Sequence, residues 1–512
     1  MKKFLTVFLI MLFFTPKAFS NNVWVNDLRN LFLSNNAIIY VINMRTFGAQ
    51  DINKDGIVEE SEGEESGNFI NAISRLDELK AIGVNTIHIL PIMSIGETKA
   101  LGTAGSLYAP SSFKKLNPQL KSSRSSLSIE DQAIKFINEA HRRGIRVMLD
   151  VPACASYDLY MERPELFVKD ESGQPVTPVD WTDVRLLDAG SETKINANVY
   201  GLYKEFVDYA LKLGADGIRA DVATSKPAKF WKELIDYSRR KDPQFAWLAE
   251  ASDSWKEPIA TQAVFTPYDK LLEAGFDGFY GSFFNMKDWR KAEDLMTHIK
   301  FTNSIKTKFL QPKSVIGSFS THDELSPILI NGYPYSDMIL WLNSTLPVNS
   351  YFVDGFSTGD NYIYLWANKK ARQTSTDDDY YFAHRGQLDI FNFSRRPGGK
   401  YTNFLTDFAL ANRFKSSIAP IIANGKFIEL NTKNPEVFAY ALSYNKSTVI
   451  VFGNINFKKI NEAVIKVSGY NENLLTIPIK IGNSPVYEKG KLNAKLAPGE
   501  IQVLLVNDLE LK

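Results

Sequence analysis

The chain has 512 residues, which is enough for roughly two to four domains. Its hydrophobic fraction of 44% and charged fraction of 23% are typical of a globular protein. The formal net charge of +1 gives no electrostatic reason to expect nucleic acid or an anionic membrane surface as a partner. Cys154 is the single cysteine, so an intrachain disulfide is excluded.

Residues 1–20 have the features of a secretory signal peptide. Lys2 and Lys3 precede an apolar run over residues 4–14, and small residues follow where a signal peptidase would cleave. The run is too short to span a membrane, and no later stretch of the sequence is long and apolar enough to do so. We therefore expect a mature chain that starts near Asn21, has no membrane contact and is secreted or periplasmic.

An apolar strand over residues 37–44 leads into a loop with the full EF-hand pattern. Oxygen-bearing side chains alternate along the loop, Gly56 stands at the sharp turn, and an acid occupies the twelfth place. The predicted ligands of a structural calcium ion are Asp51, Asn53, Asp55, the carbonyl of Ile57 and Glu59, and Glu62 is left open as a further ligand. The alternative is a solvated acidic loop, because residues 59–65 form a charge run. No organic cofactor is expected.

Strands alternate with helices along most of the chain, which is typical of parallel β-α units. The predicted strands cover residues 37–44, 86–92, 145–152, 217–221, 245–250, 277–280, 314–323 and 348–353. Apolar residues at helical spacing predict helices over residues 69–82, 129–144, 199–213, 230–239, 292–301, 336–346 and 403–417. Eight strands in this alternation predict a (β/α)8 TIM barrel.

Two segments interrupt or follow the barrel pattern. Residues 153–197, after the third strand, form an insert that is rich in turn formers and acids and includes Trp181. After residue 423 the pattern changes to short β-type runs separated by turn residues. We therefore predict a catalytic barrel with its insert over residues 21–423 and an antiparallel β-sandwich over residues 424–512.

Three of the predicted barrel strands run into an acid at their C-terminal ends. These acids are Asp221 in the segment Gly-Ile-Arg-Ala-Asp, Glu250 and Asp323. A single acid at a strand end has an alternative role in capping the next turn. Three of them, at the same face of a parallel barrel, can converge on one pocket. Retaining glycoside cleavage needs a carboxylate nucleophile, a carboxyl acid/base and stabilisation of an oxocarbenium-like transition state.

These segments resemble the catalytic regions of the α-amylase family, glycoside hydrolase family 13, and the resemblance extends from the first strand to the C-terminal end. It implies that Asp221 is the nucleophile, Glu250 the general acid/base and Asp323 the transition-state stabiliser. It further implies that Arg219 keeps Asp221 ionised and that His322 binds sugar hydroxyls. The insert would be a small B domain, and the acidic loop would match a divalent-cation site found in a subset of the family.

Other residues are interpreted against the same family pattern. Tyr108 follows the second strand, where family members place a tyrosine under the reacting sugar; packing is its alternative role. Asp150 ends the third strand at the position of an acid that supports the site. His88, His141 and His298 have no partners at catalytic or metal spacing, which predicts structural or surface roles for them.

The chain also departs from the family pattern. The family's first region ends in Asn-His, where this chain has Cys154 and Ala155, and its second region ends in Lys-His, where this chain has Thr224 and Ser225. The calcium that the family's Asn helps to bind is therefore doubtful, and the sugar contacts must differ. Cys154 has no neighbouring histidine in the sequence, which predicts a small buried residue.

The sequence predicts an exported retaining α-glycosidase that hydrolyses α-glucans or malto-oligosaccharides. One alternative is transglycosylation, because residues 221–227 resemble the maltosyltransferase branch that builds α-1,4-glucan from maltose 1-phosphate. Members of that branch are cytoplasmic, whereas this chain begins with a predicted signal peptide. The other alternative is a catalytically silent sugar-binding relative, suggested by the two missing histidines. A silent protein has no chemical need for three such carboxylates, which favours the enzyme.

Overall fold

The computed structural model describes residues 24–50, 52, 60–100, 106–178, 181–359, 404–471, 473–482, 485–488 and 491–511. The predicted signal peptide lies outside the described residues. The five predicted calcium ligands, Asp51, Asn53, Asp55, Ile57 and Glu59, also lie outside them, so the calcium site stays a prediction.

Strands and helices alternate through the first part of the described chain. The strands are β1 (Ile38–Ile42), β2 (Thr86–Ile89), β3 (Arg146–Val151), β4 (Cys154–Ser156), β5 (Val184–Leu186), β6 (Gly217–Ala220), β7 (Ala246–Ala249), β8 (Gly278–Phe279), β9 (Ser314–Val315) and β10 (Ser350–Val353). The α-helices are α1 (Leu28–Leu33), α2 (Met44–Phe47), α3 (Leu76–Ala81), α4 (Ile129–Arg142), α5 (Tyr157–Glu162), α6 (Ala197–Leu213), α7 (Ala228–Lys241), α8 (Tyr268–Ala274), α9 (Ala292–Lys308), α10 (Pro327–Thr345), α11 (Phe404–Ser417) and α12 (Ala419–Asn424). Short 3-10 turns cover Glu60–Glu62, Asn71–Arg75, Pro118–Leu120, Pro164–Leu166, Ala223–Ser225, Phe283–Asp288 and Phe356–Thr358. Within the described ranges, no helix combines the length and apolar character that a membrane span requires.

Eight of these strands form one parallel sheet in the order β10-β1-β2-β3-β6-β7-β8-β9. The two ends of the sheet meet, because Ile316 and Asn349 form a parallel bridge just beyond β9 and just before β10. The amide of Gly317 donates to the Asn349 carbonyl at 2.7 Å, and the Asn349 amide donates to the Val315 carbonyl at 3.1 Å. The sheet is therefore closed as a (β/α)8 barrel, as predicted.

The barrel core follows from alternation along the strands. In β1, Ile38, Tyr40 and Ile42 pack in the large cluster beneath the helices, whereas Ile39 and Val41 belong to a second cluster inside the barrel. The inner cluster also contains Leu28 and Phe32 of α1, which precedes β1. The centre of the barrel is thus filled with side chains, and the loops after the strands are left to build a site.

Two predicted elements differ from the structure. The helix predicted over residues 69–82 begins as the 3-10 turn Asn71–Arg75, because the side chain of Asn68 accepts hydrogen bonds from the amides of Ile70 and Asn71 at the start of the segment. The seventh barrel strand ends at Val315 rather than at Asp323. The chain turns at Gly317, where the Ser318 amide donates to the Ile316 carbonyl at 2.8 Å. Gly317 is packed closely there, because an added Cβ would lie 1.9 Å from the Asn343 Oδ1 atom.

The remaining strands confirm the rest of the predicted architecture. In the insert after β3, the strands β4 and β5 pair antiparallel. The C-terminal strands are β11 (Lys426–Glu429), β12 (Val437–Tyr444), β13 (Ser447–Asn454), β14 (Asn461–Lys466), β15 (Thr476–Lys480), β16 (Val486–Glu488), β17 (Lys491–Leu496) and β18 (Ile501–Asn507). They form a five-stranded sheet, β11-β12-β13-β18-β15, and a three-stranded sheet, β14-β17-β16, around a shared apolar cluster.

Candidate active site

The three predicted acids lie around one cavity at the C-terminal face of the barrel. Asp221 follows β6 directly, Glu250 follows β7 directly, and Asp323 lies in the loop after β9. The cavity has a volume of about 330 Å³, and its lining consists of these acids with Tyr108, Trp181, Val222, His322 and Glu324. Parallel strands end at the same face of a barrel, which is why residues distant in the sequence meet here.

Arg219 links the acids from beneath the cavity. Its Nη1 atom donates to Asp150 Oδ1 at 2.9 Å and to Asp221 Oδ1 at 2.8 Å, and its Nη2 atom forms an ion pair with Glu250 Oε2 at 3.0 Å. The side chain is fully buried. Burial opposes the charge of the guanidinium, but the surrounding carboxylates outweigh it and raise the pKa of Arg219 above its ordinary value. Arg219 is therefore a permanent positive charge at the centre of the site.

Burial dominates the protonation of the three acids. It raises the pKa of Glu250 to about 8 and that of Asp323 to about 7, and in both cases the Arg219 charge opposes the shift. Burial also raises the pKa of Asp221, again against Arg219. Arg219 thus acts on Asp221 in the direction that the resemblance implies, but burial outweighs it. A carboxyl group that stays protonated near neutral pH can act as a general acid.

Two backbone amides hold two of the acids in place. The Ala153 amide donates to Asp221 Oδ2 at 3.0 Å, and the Val222 amide donates to Glu250 Oε2 at 2.6 Å. Val222 has φ 31° and ψ 56°, a left-handed conformation that is unfavourable for a β-branched residue. This conformation places the Val222 amide against Glu250. The sequence gives no signal of it, because valine is a poor residue for that region.

Tyr108, His322 and Asp150 form the opposite side of the site. The Tyr108 hydroxyl donates to Asp150 Oδ2 at 2.9 Å and lies 2.8 Å from His322 Nε2. The Tyr108 and His322 rings are nearly parallel, with centroids 6.0 Å apart, and Trp181 packs on Tyr108 with centroids 5.4 Å apart. The predicted site residues Tyr108, His322 and Asp150 therefore lie together with the three acids, and the rings provide an apolar surface of the kind that sugars stack on.

His88 is fully buried, in line with the predicted structural role, and it has two polar partners that its sequence neighbours do not indicate. His88 Nε2 lies 3.2 Å from Asp150 Oδ2, and its Nδ1 lies 3.2 Å from the Tyr351 hydroxyl. His141 also has an acid partner, Asp216 at 2.8 Å, but that pair lies where β3 begins, at the other end of the barrel. The alternation of residues along β2 could have indicated that His88 points into the barrel, because His88 pairs with Val41, a residue of the inner cluster.

Among the residues that the structure describes, no group of three or more His, Cys, Asp or Glu side chains is arranged to hold a metal ion.

The chain is similar in sequence to several enzymes that act on α-glucans. No protein-family model matches the chain. It is 23% identical over 416 residues to the α-1,4-glucan:maltose-1-phosphate maltosyltransferase of Picrophilus torridus, which covers 78% of this chain and 60% of that protein. It is 26% identical over 270 residues to α-amylase 2 of Dictyoglomus thermophilum, covering 51% of this chain and 44% of that protein. The chain is similar in sequence to members of the α-amylase family.

The fold comparison agrees with the sequence relatives. The crystal structure of an α-amylase from Lactobacillus plantarum superimposes with a TM-score of 0.67 at 20% identity, over 93% of this chain and 99% of that one. The maltosyltransferase similarity confirms the resemblance to that branch as well. The matched segments span 27% to 60% of the length of three maltosyltransferase relatives.

The structure shows what lies behind the predicted nucleophile, where the sequence departs from the α-amylase family pattern. Lys226 is fully buried, and its Nζ donates to the Ala153 carbonyl at 2.9 Å, while the Ala153 amide donates to Asp221. Burial lowers the pKa of Lys226 to about 8. Cys154 is buried, as predicted, and burial raises its pKa to about 12, so its thiol is not ionised near neutral pH. Asp221 and Lys226 therefore bind the amide and the carbonyl of Ala153, respectively.

Proposed function

We propose that this protein is a retaining α-glycosidase that hydrolyses α-glucosidic bonds in α-glucans or malto-oligosaccharides. The observation that carries the proposal is the convergence of Asp221, Glu250 and Asp323 on one cavity around the buried Arg219. The names of the relatives, which include α-amylases and maltosyltransferases, support the same class of bond.

In the first step, the Asp221 carboxylate attacks the anomeric carbon while protonated Glu250 gives its proton to the departing glycosidic oxygen. Burial suits Glu250 to this role, because its pKa of about 8 keeps it protonated near neutral pH. Asp221 accepts hydrogen bonds from Arg219 and from the Ala153 amide, and both donors favour its carboxylate form. The product of this step is a glycosyl ester on Asp221 and a free sugar.

In the second step, the Glu250 carboxylate takes a proton from a water molecule, which attacks the anomeric carbon and releases Asp221. Asp323 and His322 border the same cavity and are assigned to the hydroxyls of the reacting sugar. Two displacements at one carbon retain the α configuration. Tyr108 and Trp181 supply the ring surface on which this sugar stacks.

Transglycosylation is the second candidate, and the maltosyltransferase relatives favour it. It uses the same glycosyl ester, but a sugar hydroxyl replaces water in the second step. The two functions therefore differ in the acceptor and not in the roles of the three acids.

Export and calcium binding complete the proposal. The pattern of residues 1–20 supports export to the periplasm or the medium. The EF-hand pattern from Asp51 to Glu59 supports one structural calcium ion.

A product profile tests the proposal. The purified mature protein, with added calcium, is incubated with maltoheptaose, pullulan, trehalose or maltose 1-phosphate, and the products are separated by chromatography. Shorter sugars alone are expected, and the substrate that yields them identifies the linkage. Longer chains would assign a transferase instead, and sugar binding without any product would assign a silent relative. Glu250→Gln is the control, and it should lose turnover but keep sugar binding.

A further inference from the structure

We propose that Tyr280, Tyr351 and His88 form a positioning chain that fixes the orientation of Arg219 and so the placement of charge among the acids. This inference rests on the proposed function for its kinetic consequence only. None of the three residues lines the cavity described above, and all three are buried. They act, on this proposal, through Arg219 and not through contact with substrate.

The three side chains of this positioning chain form a closed ring of hydrogen bonds with Asp150 and Arg219 inside the barrel. Arg219 Nε donates to the Tyr280 hydroxyl at 3.1 Å, which lies 2.9 Å from the Tyr351 hydroxyl. Tyr351 lies 3.2 Å from His88 Nδ1, and His88 Nε2 lies 3.2 Å from Asp150 Oδ2. Asp150 returns to Arg219 through the 2.9 Å bond to Nη1.

The direction of each bond in the ring can be assigned. Burial raises the pKa of Asp150, but Arg219 and His88 outweigh burial and lower it overall, so Asp150 is an ionised acceptor. His88 must then donate from Nε2, which leaves Nδ1 as an acceptor for the Tyr351 hydroxyl. Tyr351 in turn accepts from Tyr280, and Tyr280 accepts from Arg219. Each hydroxyl thus accepts once and donates once, so its direction is fixed by its neighbours.

The ring also joins elements that are far apart in the sequence. Arg219 lies on β6, Asp150 on β3, His88 on β2 and Tyr351 on β10, while Tyr280 directly follows β8. The Nη1 and Nη2 atoms of Arg219 reach the acids, so its Nε atom is the one left to set the rotation of the guanidinium. Tyr280 binds that atom.

The first experiment determines the protonation state and hydrogen bonding of His88 in the absence of substrate. The chain has five histidines, so 15N-histidine labelling with His88→Gln for assignment gives a resolvable NMR spectrum. We expect neutral His88 with its proton on Nε2, and a shift of the Nδ1 resonance in Tyr351→Phe, which removes the donor. A proton on Nδ1 in the wild type, or an unchanged Nδ1 resonance in Tyr351→Phe, would overturn the proposal.

The second experiment measures kinetics on the best substrate of the product profile. Tyr280→Phe leaves the buried Arg219 Nε without its acceptor, so kcat should fall about ten- to a hundredfold while KM changes less than about twofold. Tyr351→Phe should have a smaller effect. The double variant Tyr280→Phe/Tyr351→Phe should have the same kcat as Tyr280→Phe, because the hydrogen bond from Arg219 to position 280 is already lost. Additive losses, or wild-type kcat in Tyr280→Phe, would contradict the proposal.

Tyr440→Phe is the matched control. Tyr440 lies on β12 of the C-terminal sheet, and its buried hydroxyl forms a hydrogen bond of 2.8 Å with the Thr345 hydroxyl at the end of α10. This variant should retain wild-type kinetics. If Tyr280→Phe does not fold, Tyr351→Phe and the histidine spectrum still decide the question. A wild-type protein without activity on any α-glucoside would refute the proposed function, and the histidine spectrum would still test the ring on its own.

Discussion

Glu250→Gln separates the chemistry of the site from its effect on folding. Burial raises the pKa of Glu250 from an ordinary value of 4.5 to about 8, so the folded protein holds this proton more tightly than the unfolded chain. The contribution of Glu250 to stability is therefore fully present below pH 4.5 and is lost as the pH rises through about 8. Glutamine has no proton to lose, so the variant is free of this penalty.

The magnitude follows from the shift. At about 1.4 kcal/mol for each unit of pKa, the wild type should lose up to about 5 kcal/mol of unfolding free energy across this range. The neighbouring acids Asp221 and Asp323 titrate together with Glu250, so about 2 kcal/mol is the smallest effect consistent with the reasoning. Glu250→Gln should therefore be inactive at every pH, and its unfolding free energy should exceed that of the wild type increasingly as the pH rises.

Urea unfolding of both proteins at pH 5, 7 and 9 measures this difference. Glu462→Gln is the control, because its side chain is 74% exposed on β14 and should follow the wild type at each pH. If the difference between Glu250→Gln and the wild type stays constant across the three pH values, the buried environment inferred for Glu250 is refuted.

Three further predictions concern residues around and away from the acids. Trp231→Ala should lower the unfolding free energy by about 3–5 kcal/mol in urea, because Trp231 is fully buried and its indole donates to the Ala223 carbonyl at 2.8 Å; a loss below about 1 kcal/mol would contradict this packing. Lys226→Met removes a positive charge behind Asp221, so the pKa of Asp221 should rise and the acidic limb of the kcat/KM profile should move to higher pH; an unmoved limb would exclude an electrostatic role. Removal of calcium with EDTA should lower the thermal midpoint reversibly if the loop from Asp51 to Glu59 binds the ion, whereas an unchanged midpoint with and without added calcium would count against that site.

Local patterns explain why the fold and the three acids were predictable from the sequence. Strand-helix alternation indicates a parallel barrel, and Asp221 and Glu250 follow their strands directly, so their convergence is a consequence of topology. The sequence predicts a strand that reaches Asp323, whereas the strand ends at Val315. The early end depends on the close approach of Gly317 to Asn343, which is a tertiary contact that local patterns do not specify.

The supporting residues could not be predicted in the same way. His88 and Tyr351 are 263 residues apart in the sequence, and no local pattern links them. The left-handed backbone of Val222 is likewise imposed by its surroundings, since the residue type disfavours it. Hydrogen bonds between distant strands depend on the register and closure of the barrel, which local periodicity does not specify.

The most direct test of the central claim is to trap the glycosyl ester and locate it. Glu250→Gln incubated with an α-glucosyl fluoride should accumulate the intermediate, because the fluoride leaves without acid assistance and the general base is missing. Trypsin then releases residues 220–229, a peptide in which Asp221 is the only side-chain carboxylate. We expect mass spectrometry to find one added glucosyl group on this peptide. A label on the peptide that carries Asp323, or turnover of the fluoride by the wild type without any label at Asp221, would contradict the account.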